Sequence, residues 1–282
     1  MASFWCRWFH WNCPPKPFVS TPIAFTNHGV NIARAAGIEL DGLKNLGVKF
    51  VRHTFYTKQD TGDYDGIFRA RLLALDALGI ETLIVVHDFD SAYEISSKMA
   101  ELVKRYPNRL WQIGNEWDAA TWVPFGNTGA QYAEIMREVI KVCPNTSFVG
   151  MGLATSDVPN TPPDIIRQPK FLTDYLNNSG PLLKAWCIHI YGHPVINTFK
   201  SLVTATQQVL KQRMPLWVTE YGTFDDDETE RQMIVDITTN APKYGVSRTY
   251  QYCFWAGDSN FGLVDRNDNP RPAFNELKNR IK

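Results

Sequence analysis

The chain reads as a single α/β domain, a (β/α)8 TIM barrel preceded by a short aromatic and proline-rich N-terminal arm. Three observations predict this. Its 282 residues match the usual span of one such barrel. Short apolar, β-rich runs alternate with amphipathic stretches about every 30 to 40 residues, as βα units do. No linker or low-complexity break interrupts the alternation, and the strand-like runs are apolar almost throughout, as a parallel sheet clad in helices requires. A doubly wound open sheet is the structural alternative. It is disfavoured because the chain shows no glycine-rich phosphate turn and no switch point.

Residues 1–22 carry many aromatics and prolines without helical or alternating period, and are read as an arm packing across one end of the barrel. Residues 23–282 form the barrel. The strand candidates are 23–27, 48–55, 81–88, 109–116, 146–153, 185–191, 215–221 and 248–255. Helix candidates fall between them, near 38–46, 67–78, 91–105, 129–142, 164–177, 198–212, 227–244 and 271–281. Gly47, Gly79 and Gly245 follow helical runs as C-terminal caps, while Ser91 and Thr128 stand where N-caps belong.

Composition excludes several classes of function. Lys+Arg and Asp+Glu are equal at 29 each, which gives no attraction to nucleic acid or an anionic membrane. No apolar run approaches membrane-spanning length. Five cysteines leave at least one thiol unpaired. Cys143, Cys187 and Cys253 read as small buried hydrophobes, and Cys6 and Cys13 could bridge each other if the protein meets an oxidising compartment. The first residues lack the basic start and long apolar core of a signal peptide, so no compartment follows from them. Nine Trp, eleven Tyr and sixteen Phe exceed the needs of a core, and the surplus suits flat platforms for sugar rings.

In such a barrel, polar residues at the C-terminal strand ends face the active-site mouth. Those positions hold Arg52, His87, Asn115 and Glu116, His189 and Tyr191, Glu220 and Trp255. Glu116 closes WQIGNEWD (Trp111–Asp118) on the fourth strand, and Glu220 lies in LWVTEYG (Leu216–Gly222) on the seventh. Strands three apart in an eight-membered ring nearly face each other, so the two carboxyl groups can converge. Glycoside cleavage needs such a pair: one protonates the leaving oxygen, the other attacks the anomeric carbon or activates water.

These motifs resemble those of clan A glycoside hydrolases, retaining β-glycosidases built on a (β/α)8 barrel. GNE in WQIGNEWD is similar to the clan's Asn-Glu pair ending the fourth strand, and TEYG to its nucleophile segment on the seventh. HIYGH (His189–His193) resembles the sixth-strand His-x-Tyr, FVRH (Phe50–His53) the second-strand arginine, and FWAGDSNFGLVD (Phe254–Asp265) the eighth-strand tryptophan and its turn. Trp117 follows Glu116 where many members have proline.

The resemblance implies that Glu116 is the general acid/base and Glu220 the nucleophile, held by Arg52 and Tyr191. It implies that Asn115 bonds the sugar 2-hydroxyl, that His87 and His189 line the subsite of the cleaved sugar, and that Trp255 floors it. The expected substrate is an oligo- or polysaccharide cut internally, with no cofactor, no metal, and a monomeric enzyme.

Rival readings remain for some residues. Trp117 and Trp122 lie on the loop after the fourth strand, where exposed rings form sugar platforms and buried ones join the core; both readings stay open. The acidic run Asp225–Glu228 is read as a helix cap, since negative charge suits a helix N-terminus. A metal-dependent hydrolase is disfavoured because no strand carries His-x-His spacing. A Schiff-base aldolase would need a strand-end lysine, and the strands carry only Lys49, at the wrong end. A carbohydrate-binding barrel without catalysis would be expected to lack one of the two carboxylates.

Overall fold

The computed structural model describes residues 27–32, 40–56, 66–119, 125–154, 167–191, 195–223, 225–255 and 262–281. The arm over 1–22, Cys6, Cys13, Trp122 and His193 lie outside them. Among the described residues, nine strands form one parallel sheet: β1 (His28–Ile32), β2 (Phe50–Phe55), β3 (Glu81–Val86), β4 (Leu110–Ile113), β5 (Ser147–Val149), β6 (Gly152–Leu153), β7 (Trp186–Tyr191), β8 (Leu216–Gly222) and β9 (Val246–Gln251). The described helices are α1 (Leu40–Leu46), α2 (Ile67–Ala77), α3 (Ala92–Arg105), α4 (Gly129–Val142), α5 (Arg167–Asn177), α6 (Val195–Leu210), α7 (Asp227–Asn240) and α8 (Pro272–Arg280).

The spatial order is β5-β4-β3-β2-β1-β9-β8-β7-β6. The two strands at the ends of this order, β5 and β6, are consecutive pieces of the chain separated by Gly150 and Met151. Asn115 bridges to Gly152, carrying the β4 edge onto β6. The sheet therefore curls until its ends come from one stretch of chain, as in a TIM-like barrel.

The predicted fifth strand, 146–153, is thus broken in two. At the break the Tyr132 hydroxyl from α4 accepts from Met151 N and donates to Ile113 O, each at 2.9 Å, replacing ladder bonds the sheet gives up there. The first strand also differs from expectation: it is HGVNI, not the apolar 23–27. Polar residues made HGVNI a poor strand candidate, but inside the sheet they are matched. His28 Nδ1 meets Thr249 Oγ1 at 2.8 Å, and Asn31 finds three partners. The last strand ends at Gln251, four residues earlier than predicted.

Period-two alternation sorts each strand into an outward and an inward face. A small inner cluster of Leu83, Leu110, Val149, Ala185, Cys187, Trp217 and Tyr250, with Phe50 against it, is separate from the larger core between sheet and helices. One step of two further along β2, β4 and β7, that face changes from Phe50, Leu110 and Cys187 to Arg52, Gln112 and His189. The expected caps are present. Ser91 and Thr128 each accept from the backbone N–H three residues on, at 3.3 Å. Gly47 and Gly79 take the left-handed backbone that ends their helices (φ +84° and +68°), while Gly245 (φ +71°) ends a short 3-10 turn, Pro242–Tyr244, that follows α7. Asp226 accepts from Thr229 N at 2.8 Å, so the acidic run does cap α7, which stops at Asn240 ahead of Pro242.

Candidate active site

Glu220 lies on β8 beside an irregularity that decides where its side chain goes. Val218 pairs with Ile188 and Glu220 with His189, so Thr219 has no partner in β7. A bulge of this kind re-aims the residue beside it. The result is a carboxylate 6 % exposed, met by Arg52 Nη1 at 2.5 Å on Oε1 and by the Tyr191 hydroxyl at 2.5 Å on Oε2. Burial pushes this carboxyl up, but the charges of His189 and Arg52 and the bonds from Tyr191 and Arg52 outweigh it. The net position is below the ordinary carboxylate value, so the group is ionised at neutral pH. Tyr191 moves the opposite way: burial, then the adjacent Glu220 charge, hold its phenol proton in place for that bond.

Arg52 donates through all three of its nitrogens. Besides Glu220 it reaches Gln112 Oε1 through Nε at 3.0 Å, Asn31 Oδ1 at 2.8 Å and Asn115 Oδ1 at 2.5 Å. The last bond fixes the Asn115 amide with its oxygen toward Arg52, leaving its nitrogen to donate elsewhere. A planar fork of donors suits such a site, and a lysine would not reproduce it.

Glu116 stands just past β4 in the left-handed region (φ +56°), a conformation costing a non-glycine residue about 1–3 kcal/mol. Its surroundings hold it there: Glu116 N donates to Gly152 O at 2.9 Å and Ala119 N to Glu116 O at 3.1 Å. The side chain is partly exposed and its Oε1 lies 2.7 Å from His189 Nδ1. His189 is fully buried, and its other nitrogen is 3.6 Å from Glu220 Oε1. One carboxylate oxygen of each glutamate and a ring nitrogen of His189 all lie within 4.8 Å of one another. The two acidic groups from distant segments therefore converge. Among the described residues this trio is also the cluster close enough to hold a cation, but the Arg52 guanidinium already supplies positive charge against Glu220.

The remaining predicted residues divide. His87 follows β3, meets Tyr56 edge-on at 5.6 Å, and is held toward its neutral form by burial. Trp117 is corrected. It is fully buried, its ring nitrogen donates to His87 O at 3.2 Å, and its ring is wedged edge-on among Phe89, Phe125 and Tyr132. It is a core residue and offers no face to a sugar. Gly114 and Gly126 leave room for that ring; a Cβ on Gly126 would come within 2.5 Å of it. Trp255 lies beyond β9, pairs with Val264 and is 37 % exposed. The aromatic at the strand end is Tyr252, whose ring meets Tyr191 edge-on at 6.1 Å.

Sequence reasoning also missed Asn31, Gln112, Gly152 and Asp118. The Asp118 side chain is buried two residues after Glu116, accepts from Ala154 N at 3.0 Å, and is pushed up to about 6, by burial first, with Glu116 adding to it. Gln112 left a signal, as an amide within the otherwise apolar strand LWQI, whereas Asn31 lies in a stretch whose polar residues hid the strand itself.

Residues 155–271 match the family model described as the glycosyl hydrolase catalytic core. No curated protein matches the chain. Among solved structures, a glucosidase from Croceicoccus marinus aligns with TM-score 0.68 at 14% identity, over 91% of this chain and 67% of that one. An endo-β-1,3-glucanase from Sorangium cellulosum aligns with TM-score 0.64 at 17% identity, over 89% and 97%. An endoglucanase from Pseudomonas stutzeri gives 0.63 at 14%, over 91% and 94%. At such identities the structural likeness is one of fold. The catalytic-core match supports a glycoside hydrolase and selects no single family. No helix among the described residues is long and apolar enough to cross a membrane.

Proposed function

We propose that the chain is a retaining glycoside hydrolase on a closed (β/α)8 barrel, cleaving β-glycosidic bonds by double displacement. The observation that carries this reading is the pair of glutamates with carboxylate oxygens within 4.8 Å, one of them secured by Arg52. A separation near 5 Å suits direct attack on the sugar, whereas inversion needs about 6.5–9.5 Å to admit a water. Glu220, ionised and aimed by Arg52 and Tyr191, is the nucleophile. Glu116, partly exposed and bonded to His189, protonates the leaving oxygen and then activates the water that releases the sugar. Asn115, its oxygen held by Arg52, turns its amide nitrogen to the sugar 2-hydroxyl.

His87 and Tyr252 wall the subsite of the cleaved sugar, and Trp255, partly exposed beyond β9, serves as an outer platform. The substrate is a polysaccharide cut internally. β-Glucans are the first class to test, because the fold is shared with endo-β-1,3- and endo-β-1,4-glucanases. The chain acts as a monomer without a cofactor.

The test is hydrolysis of aryl β-glycosides and a polysaccharide panel, with the anomeric configuration of the first product read by NMR and released oligosaccharides by mass. Retention is expected, with activity abolished in Glu220→Ala and Glu116→Ala. Inversion, or full activity in either variant, would overturn the mechanism. Oligosaccharide binding without turnover would point to a carbohydrate-binding barrel instead.

A further inference from the structure

Two buried amides, Asn31 on β1 and Gln112 on β4, frame the Arg52 guanidinium. Asn31 Oδ1 accepts from Nη1 at 2.8 Å, and Gln112 Oε1 accepts from Nε at 3.0 Å. Because each oxygen faces a cation, each amide nitrogen is turned away, and it finds a backbone carbonyl just upstream of one of the two glutamates. Asn31 Nδ2 donates to Thr219 O at 3.0 Å, directly before Glu220, and to Gln251 O at 3.3 Å. Gln112 Nε2 donates to Gly114 O at 2.9 Å, two residues before Glu116.

Apolar side chains would fill both places without the desolvation cost of a buried amide. The bulge in β8 gives Asn31 its task. Thr219 drops out of register with β7, and its carbonyl is the one Asn31 takes. On β4 the strand ends at Ile113, and Gln112 bonds the carbonyl of the left-handed Gly114 that follows.

We propose that Asn31 and Gln112 are positioning residues: an amide pair that ties Arg52 to the backbone carrying Glu220 on one side and Glu116 on the other, setting the spacing of the two carboxyl groups. The assignment rests on the hydrolase reading above and extends it to two residues that lie beneath the reacting groups.

The Glu220 carboxyl is followed by carbon-13 NMR titration in the wild-type chain and in Asn31→Ala, Asn31→Asp and Gln112→Met. Without either amide Arg52 loses its fixed place, and the Glu220 midpoint rises by about one unit or more. In turnover, kcat falls roughly 100-fold with KM little changed, since misplacement by about 1 Å has that effect. The acid limb of kcat/KM moves up in step. Asn31→Asp keeps an acceptor for Arg52 but loses both donors and puts a second carboxylate beside Glu220, so its midpoint rises at least as far as in Asn31→Ala.

An unmoved Glu220 midpoint and acid limb in folded variants overturn the proposal. The titration needs no substrate, so a wild-type chain that hydrolyses nothing while Glu220 still responds sinks the hydrolase reading alone. Should the variants fail to fold, the wild type decides. The side-chain amide signals of Asn31 and Gln112 should shift through the Glu220 midpoint, and signals static across it overturn the coupling.

Discussion

His189 occupies the space into which a side chain at Gly152 would project. A Cβ added at Gly152 would fall well inside van der Waals contact with His189 Nε2. The same histidine is registered opposite Glu220 in the β7–β8 ladder and bonds Glu116. A backbone position on β6 therefore determines how the imidazole stands between the two acids.

Gly152→Ala should push the ring off Gly152 and lengthen its 2.7 Å contact with Glu116. Overpacking of this kind costs about 1–3 kcal/mol. The larger effect should be on kcat, because Glu116 loses the partner that holds it in place. Thermal melting and kcat on one aryl glycoside separate the two effects. An alanine variant with the wild-type kcat would show that the ring placement is irrelevant.

Arg52→Met should be more damaging than Arg52→Lys, and both should be severe. Arg52 and Glu220 are 3% and 6% exposed, so removing the cation leaves an uncompensated buried carboxylate, about 3–5 kcal/mol of stability. Lysine restores charge without the fork that also reaches Asn31, Gln112 and Asn115. Denaturant unfolding gives the stability loss. A Lys variant with wild-type kcat would contradict the role assigned to the fork.

Trp117→Ala should act on stability and leave substrate recognition alone. The ring is buried among Phe89, Phe125 and Tyr132, and truncating such a residue costs about 3–5 kcal/mol. At temperatures where the variant is folded, KM for an oligosaccharide should stay within a few-fold of wild type. A large rise in KM in folded protein would restore the ring as a sugar platform.

Stability should decline at both ends of the pH scale for different reasons. Glu230 on α7 is fully buried, bonded by Gln251 Nε2 at 2.8 Å, and pushed up to about 9, chiefly by burial. Its carboxyl stays protonated in the fold while the unfolded chain ionises near 4.5, so its contribution is complete below that pH and lost as pH rises through about 9. His53 is lowered from 6.5 to about 4, by burial first. Its contribution is present above 6.5 and lost as pH falls through about 4. Glu230→Gln should flatten the alkaline decline in melting temperature and leave the acid side unchanged. An undiminished alkaline decline in that variant would mean Glu230 is ionised in the fold.

Much of this molecule is written in local pattern. Apolar runs of strand length, helix caps at Ser91 and Thr128, and polar residues closing apolar strands follow from backbone geometry and burial that act over a few residues. Those rules sufficed to single out Glu116, Glu220, Arg52, His189 and Tyr191, which the fold brings together although Arg52 and His189 lie inside their strands. Trp117 shows where they stop, because an indole beside an acid reads the same in sequence whether it faces a sugar or the core. Only the approach of α4 and the glycines at 114 and 126 decided that it is buried.

The sequence by itself determined the order of the βα units and which side chains could do acid chemistry, since both depend on residue type and spacing along the chain. The tertiary structure alone decided that β1 is HGVNI, that the fifth strand breaks at Gly150 and Met151, and that a bulge at Thr219 turns Glu220 toward Arg52. It also decided that Asn31 and Gln112 flank that arginine. Each of these turns on a partner between 19 and 221 residues away, and a buried polar group is stable only where such a partner arrives.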